Sequence, residues 1–188
     1  GKLKEQTAES GFTNTEGWWN RIEAGDLDQD GDVDFVVGNH GLNSRFRASV
    51  DKPVCMYVND FDQNGNIEQI ICNYYGDQSY PMVLRHDLVS QIPSLKKKYL
   101  KYESYKDQTI ADIFAPEQLK DVIKLDVHEL KTSILINDGG GKFSIKALPI
   151  EAQSSPVFGI EITDLDGDGR QDILLGGNLY RTKPEVGR

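Results

Sequence analysis

The chain has 188 residues, 30 acidic against 21 basic, with a formal net charge of -9 and a pI near 4.8. Its length and 38% hydrophobic content support a real core in one domain, or in one domain carrying an insertion, and argue against disorder. The acidic balance without a basic stripe argues against phosphate-driven nucleic-acid binding, and no apolar run reaches the ~18 residues of a membrane span.

In chain order, Gly1-Lys2-Leu3-Lys4 lacks the apolar stretch of a secretory signal, which leaves open a signal removed on export. Trp18 and Trp19 come next, and alternation in an extended segment buries one of them and exposes the other. A first acidic loop follows, Asp26-Leu27-Asp28-Gln29-Asp30-Gly31-Asp32-Val33-Asp34, ending in the short apolar strand signal Phe35-Val36-Val37-Gly38. The second is Asp60-Phe61-Asp62-Gln63-Asn64-Gly65-Asn66-Ile67-Glu68, set between strand-like residues 53–58 and 68–72. Cys55 and Cys72 flank it, and a register in which paired positions sum to 127 sets them opposite each other. That pairing leaves two readings, a disulfide formed in an oxidising compartment or two buried thiols packing as small apolar residues. A slip of one residue separates them onto opposite faces.

Residues 78–131 change character. Helical spacing in 85–92, 94–100 and 105–114, with Pro116 at a first helical position, predicts three or four short helices. Leu84, Leu88, Ile92, Leu95, Ile110, Ile113, Phe114, Leu119 and Val122 form their apolar stripe, and Lys96, Lys97, Lys98 and Lys101 a solvated face. Ser94-Leu95-Lys96-Lys97 fits a Ser-x-x-Lys catalytic pattern, but its companion motifs are missing. His40, His86 and His128 have no partner at zinc-ligand spacing. Asp138-Gly139-Gly140-Gly141-Lys142 lacks phosphate-loop spacing and lies between strand-like runs, so it reads as a hairpin turn. The third acidic loop is Asp164-Leu165-Asp166-Gly167-Asp168-Gly169-Arg170-Gln171-Asp172, followed by Ile173-Leu174-Leu175-Gly176 and a tail containing Pro184.

The three loops hold twelve of the thirty acids and one base, Arg170, so their charge of -11 exceeds the net charge of the whole chain. Oxygen side chains recur at positions 1, 3, 5 and 9, with glycine at 6. A loop curling around a point sends alternate side chains inward, and Ca²⁺ takes six to eight oxygens. Position 7 varies as Asp32, Asn66 and Arg170, consistent with a backbone carbonyl ligand. An EF-hand needs Glu at position 12 and flanking helices, whereas position 12 is Val37, Ile71 and Leu175 and the flanks are strands. Without a cation, such clustered carboxylates repel one another. Asn64 and Asn66 replace acids in loop two, which makes it the weakest of the three sites.

The stretches Ala24-Gly25 through Gly38 and Ile162-Thr163 through Gly176, with Val157-Phe158-Gly159 before loop three, are similar to FG-GAP or VCBS repeats of integrin-α-like β-propellers. Leu135-Ile136-Asn137-Asp138 through Phe143 resembles the outer hairpin of such a repeat. The resemblance implies a mainly β fold, a partial β-propeller with calcium-binding strand-loop-strand repeats and an inserted helical lobe. It assigns up to three Ca²⁺ to Asp26, Asp28, Asp30, Asp32 and Asp34, to Asp60, Asp62, Asn64, Asn66 and Glu68, and to Asp164, Asp166, Asp168, Arg170 and Asp172. The expected division is a first blade region with two calcium loops (1–77), a helical insertion (78–131) and a further blade region with the third loop (132–188). Loop two lies either inside the first blade or at the start of its own, and its spacing of 34 residues from loop one, short for a blade, favours the former. Subtracting the insertion leaves about three blades' worth of sequence, so the chain is expected to be a piece of a larger propeller with open, association-prone sheet edges.

The function implied is a calcium-stabilised scaffold or a protein- or glycan-binding module of a bacterial secreted, periplasmic or outer-membrane-attached protein. Trp18, Trp19, Phe46, Tyr74, Tyr75 and Tyr80 form a possible aromatic rim, with ordinary packing as the alternative. The rival class is a glycan-active hydrolase or lyase. Asp87, Glu103, Asp112 and Glu117 are its candidate acids outside the loops, and no motif pairs them.

Overall fold

The computed structural model describes residues 4–178; the expectations for the first three residues and for the tail from 179 onward lie outside them. The chain is mainly β, with several antiparallel sheets, none closed. It divides into two compact units, Gly1–Phe46 with Glu129–Arg188, and Arg47–His128.

In the first unit, β1 (Arg21–Gly25) and β2 (Asp34–Gly38) pair across loop one in the register Gly25↔Asp34 to Arg21↔Gly38. The partner of β2 on its other edge is β7 (Ser133–Asn137), which turns into β8 (Phe143–Ala147), giving the order β1-β2-β7-β8. The expected hairpin turn closes with Asp138 N–H donating to the Lys142 carbonyl at 2.9 Å. β9 (Gly159–Thr163) and β10 (Asp172–Gly176) pair across loop three, and among the described residues β10 has β9 alone as a partner. Val36, Val157 and Ile160 make the buried core, flanked by Ile134, Ile162 and Ile173. At Gly38 a Cβ would sit 2.7 Å from the Val157 carbonyl oxygen, so only glycine lets the end of β2 approach this segment.

Buried polar groups fix the place where the chain leaves and re-enters this unit. Gln153 accepts the Thr132 N–H at 2.8 Å and donates to the Thr132 and Leu148 carbonyls. Asn39 donates to the Glu129 carbonyl at 2.9 Å and takes the Thr132 hydroxyl on its own N–H. Trp18 and Trp19 precede β1 in irregular backbone, so strand alternation does not sort them and both are half-buried. Trp18 packs edge-on to His40 and Phe46, while the Trp19 indole donates to the Thr15 carbonyl.

The second unit holds β3 (Val54–Asn59), β4 (Glu68–Tyr75), β5 (Gln78–Pro81) and β6 (Ile123–Val127) in the order β5-β4-β3-β6. The expected helical insertion thus begins and ends as strand. Between β5 and β6 lie α1 (Arg85–Gln91), α2 (Ile110–Ile113) and α3 (Pro116–Leu119), with 3₁₀ turns at Pro93–Lys96 and Tyr102–Ser104. Pro93 stops α1 by forcing the preceding residue out of helical backbone, and a Thr109–Asp112 capping box starts α2. The helices cover the sheet face carrying Cys55, Ile70 and Cys72, and Leu88, Ile92, Tyr99, Ile113 and Phe114 are almost fully buried against it. Leu84 remains 36% exposed, outside the stripe assigned to it. Lys96, Lys97 and Lys101 lie in solvent, and Lys98 caps the end of α2 through the Asp112 and Ile113 carbonyls.

Candidate metal loops

Loops one and three belong to the first unit and loop two, joining β3 to β4, to the second, so loops one and two do not share a sheet. Their local structures nevertheless repeat atom for atom. The position-9 carboxylate accepts the N–H of position 2: Asp34 from Leu27 at 2.9 Å, Glu68 from Phe61 at 2.9 Å and Asp172 from Leu165 at 3.0 Å. The position-1 carboxylate accepts the glycine N–H at position 6, Asp26 from Gly31, Asp60 from Gly65 and Asp164 from Gly169. The position-5 side chain accepts from position 7, at 2.8 Å each for Asp30 with Asp32, Asn64 with Asn66 and Asp168 with Arg170.

The backbone repeats as well. Position 6 is left-handed at φ 93, 88 and 87° in Gly31, Gly65 and Gly169, where a Cβ would be strained. Position 4 is also left-handed, at φ 64° in Gln29, 58° in Gln63 and 78° in Gly167. Only the third loop relieves that position with glycine.

These bonds gather positions 1, 3 and 9. Asp26, Asp28 and Asp34 present oxygens within 4.8 Å of one another, as do Asp60, Asp62 and Glu68, and Asp164, Asp166 and Asp172. Of the other sequence candidates, Asp30, Asp32, Asp168 and Arg170 do not enter these groups; the position-5 side chains, Asn64 included, turn to the N–H of position 7. Asp34 and Glu68 are buried, at 0% and 2% exposure. Desolvation, then the charges of Asp30, Asp34 and Asp26, raise the Asp28 carboxyl above the ordinary Asp range. Asp26 Oδ1 and Asp62 Oδ1 are shielded from solvent and have no hydrogen-bond partner. Oxygen-only donors, crowded charge and two orphaned carboxylate oxygens fit a hard cation.

Sequence reasoning missed the groups that hold the loops. Asp34 Oδ1 also accepts the Asn137 N–H at 2.8 Å, tying loop one to the β7–β8 hairpin. Gln29 donates to the Gly169 carbonyl at 2.7 Å, joining loops one and three. In the second unit Gln118 of α3 donates to the Phe61 carbonyl at 2.6 Å, and Phe61 stacks on Phe114 with centroids 4.1 Å apart. Asn137, Gln118 and Phe114 lie outside the loop motifs, and Gln29 and Gly169 belong to different loops, so spacing within one loop carried no signal for these contacts.

The remaining candidates disperse. Glu103 pairs with Lys106 in solvent, Asp112 is held in its capping box, Asp87 lies beside His86, and Glu117 is exposed in the first turn of α3. Tyr75 and Tyr80 line an open cavity of about 370 Å³ with Tyr105, Lys106, Asp107 and Gln108. His40 packs between Trp18 and Phe46, and burial lowers its pKa. No family model matches the chain, and no curated protein or solved structure matches it significantly. Among the described residues no helix is long and apolar enough to cross a membrane.

Proposed function

We propose that the three loops are calcium sites and that the chain is a calcium-stiffened segment of an FG-GAP/VCBS-type β-propeller, serving as a scaffold or as a protein- or glycan-binding module outside the bacterial cytoplasm. The observation that carries this reading is the threefold repetition of one hydrogen-bond frame that gathers positions 1, 3 and 9. In each loop the side chains at positions 1, 3 and 9 would hold the ion, and the resemblance adds the position-5 side chain and the position-7 carbonyl. Calcium supplies two positive charges that relieve carboxylate repulsion and tie both ends of the loop together.

The strand order supports the same reading. The sheet β1-β2-β7-β8 follows the meander of a propeller blade, with the second unit inserted between its second and third strands. β9 and β10, joined by loop three, would be the first two strands of the next blade. On this reading the chain holds one blade, half of another and the four-stranded sheet of the second unit, in place of three blades' worth. The cavity lined by Tyr75, a residue 86% exposed, would offer a ligand the Tyr75 and Tyr80 side chains and the polar groups of Lys106, Asp107 and Gln108.

Thermal unfolding in chelator and in millimolar calcium tests the metal reading. Each site at a hundredfold excess over its Kd adds about 2.7 kcal/mol by mass action, so the midpoint rises by several degrees, and calorimetry shows loops one and three filling before loop two. Identical melting curves in the two buffers overturn it. For the ligand reading, retention on a glycan and peptide panel that survives Tyr75→Ala excludes the tyrosine cavity.

A further inference from the structure

The two cysteines lie outside the calcium reading. Cys55 on β3 and Cys72 on β4 are direct cross-strand partners, both on the face covered by the helices, and both are free thiols in this structure. Opposed residues of an antiparallel pair have Cα atoms ~4.5–5.5 Å apart, inside the range that a disulfide spans. Their exposures are 2% and 0%, with Ile70, Leu88, Tyr105 and Ile113 in the same cluster and the Ser79 hydroxyl 3.6 Å from the Cys55 sulfur. We propose that Cys55 and Cys72 are a disulfide site, oxidised while the chain folds and then sealed beneath the helical lobe.

The chemistry needs a disulfide oxidant, such as oxidised glutathione or an oxidised dithiol protein. Cys55 thiolate attacks one sulfur of that disulfide, forming a mixed disulfide and releasing one thiolate, which takes up a proton. Cys72 loses its proton to solvent, attacks the Cys55 sulfur and expels the second thiol. Two protein thiols are oxidised and one small disulfide is reduced to two thiols. A thiolate is the attacking species, and the hairpin register sets either sulfur opposite the other, so the second step is intramolecular whichever cysteine reacts first.

Burial decides when this happens. With both sulfurs under the lobe, a reagent has no path to them in the folded chain. Oxidation therefore belongs to the stage at which the β3–β4 hairpin has formed and the helices have not yet docked. The bond closes a loop of 16 residues, Met56 to Ile71, that contains all of loop two. Such a crosslink limits the unfolded chain and raises stability.

The test is refolding of the full chain from urea, in calcium buffer, into either a glutathione redox mixture or dithiothreitol. Oxidative refolding is expected to give a monomer lighter by two hydrogens, with no thiol to alkylate after denaturation and one tryptic product linking residues 55 and 72. Its melting midpoint is several degrees above that of the reduced chain. The reduced chain, oxidised after folding, converts in hours where the refolding chain takes minutes. Two alkylatable thiols after oxidative refolding, or glutathione adducts in place of the bond, overturn the proposal. If refolding fails in vitro, the same mass measurement on chain exported to an oxidising periplasm decides it. The mass readout is independent of calcium, so failure of the metal reading leaves it intact.

Discussion

At the residue scale, Asp28 and Asp34, both proposed ligands of loop one, differ in what else they hold. Asp34 is fully buried and accepts two backbone N–H groups, from Leu27 and Asn137. Asp34→Ala orphans both donors, so it is expected to cost about 2 kcal/mol or more even in chelator. Asp28 is exposed, and desolvation, then the charges of Asp30, Asp34 and Asp26, raise its pKa, so a bound cation would favour its charged form. Asp28→Ala is therefore expected to be neutral or mildly stabilising in chelator and destabilising in calcium, and more so than Asn64→Ala. Urea unfolding of the three variants in both buffers measures this; an Asp28→Ala cost that is the same with and without calcium removes Asp28 from the site.

The loops were legible in the sequence because wrapping a chain around one point imposes a fixed spacing of oxygens and a glycine at the sharpest turn. Their supports were not. Asn137, Gln118 and the joining of Gln29 to Gly169 depend on which distant segments the sheets bring alongside. Position 4 shows the limit within the motif itself, since Gln29 and Gln63 adopt left-handed backbone that nothing in a glutamine side chain announces.

At the element scale, the Cys55↔Cys72 register could be read from the symmetry of the residues around loop two, because a hairpin pairs positions with a constant sum. β6 could not. Ile123-Lys124-Leu125-Asp126-Val127 alternates as a strand does, but Pro116 announces a helix before it, and its partner β3 lies far back in the chain. The helix signals themselves were local and held where a cap supported them. Thr109 donates through its N–H and hydroxyl to Asp112, at 2.9 and 2.6 Å, and these bonds lower the Asp112 pKa below the ordinary Asp value. A carboxylate with a depressed folded pKa stabilises above its unfolded pKa and loses that contribution as pH falls through the folded one. The start of α2 is therefore expected to fray in acid below the ordinary Asp pKa. Thr109→Ala should bring the fraying to neutral pH. Hydrogen exchange at Ile113 and Phe114, whose amides bond to Thr109 and Ile110, reads both effects; protection independent of pH in the unaltered chain refutes the capping account.

At the scale of the whole molecule, the natural cut does not fall at the boundaries of the helical stretch. Residues 78–131 include β5 and β6, so deleting them strips two strands from the second sheet and leaves its apolar face uncovered. The division at Arg47–His128 removes a complete sheet with its own core instead. Both ends of the cut are anchored in the unit that remains. Phe46 packs on Trp18 at 4.9 Å, and Glu129 bridges to Gly17, next to that tryptophan, and accepts from Asn39. A short linker therefore has only a small gap to close, at a loop-closure cost that grows slowly with its length. Replacing residues 47–128 with a Gly-Ser linker is expected to leave β1-β2-β7-β8 and β9–β10 folded, with cooperative unfolding and calcium binding reduced from three equivalents to two. Loss of a cooperative transition in calcium would show that the first unit depends on the second for its core. Retention of three equivalents would show that loop two is not a site.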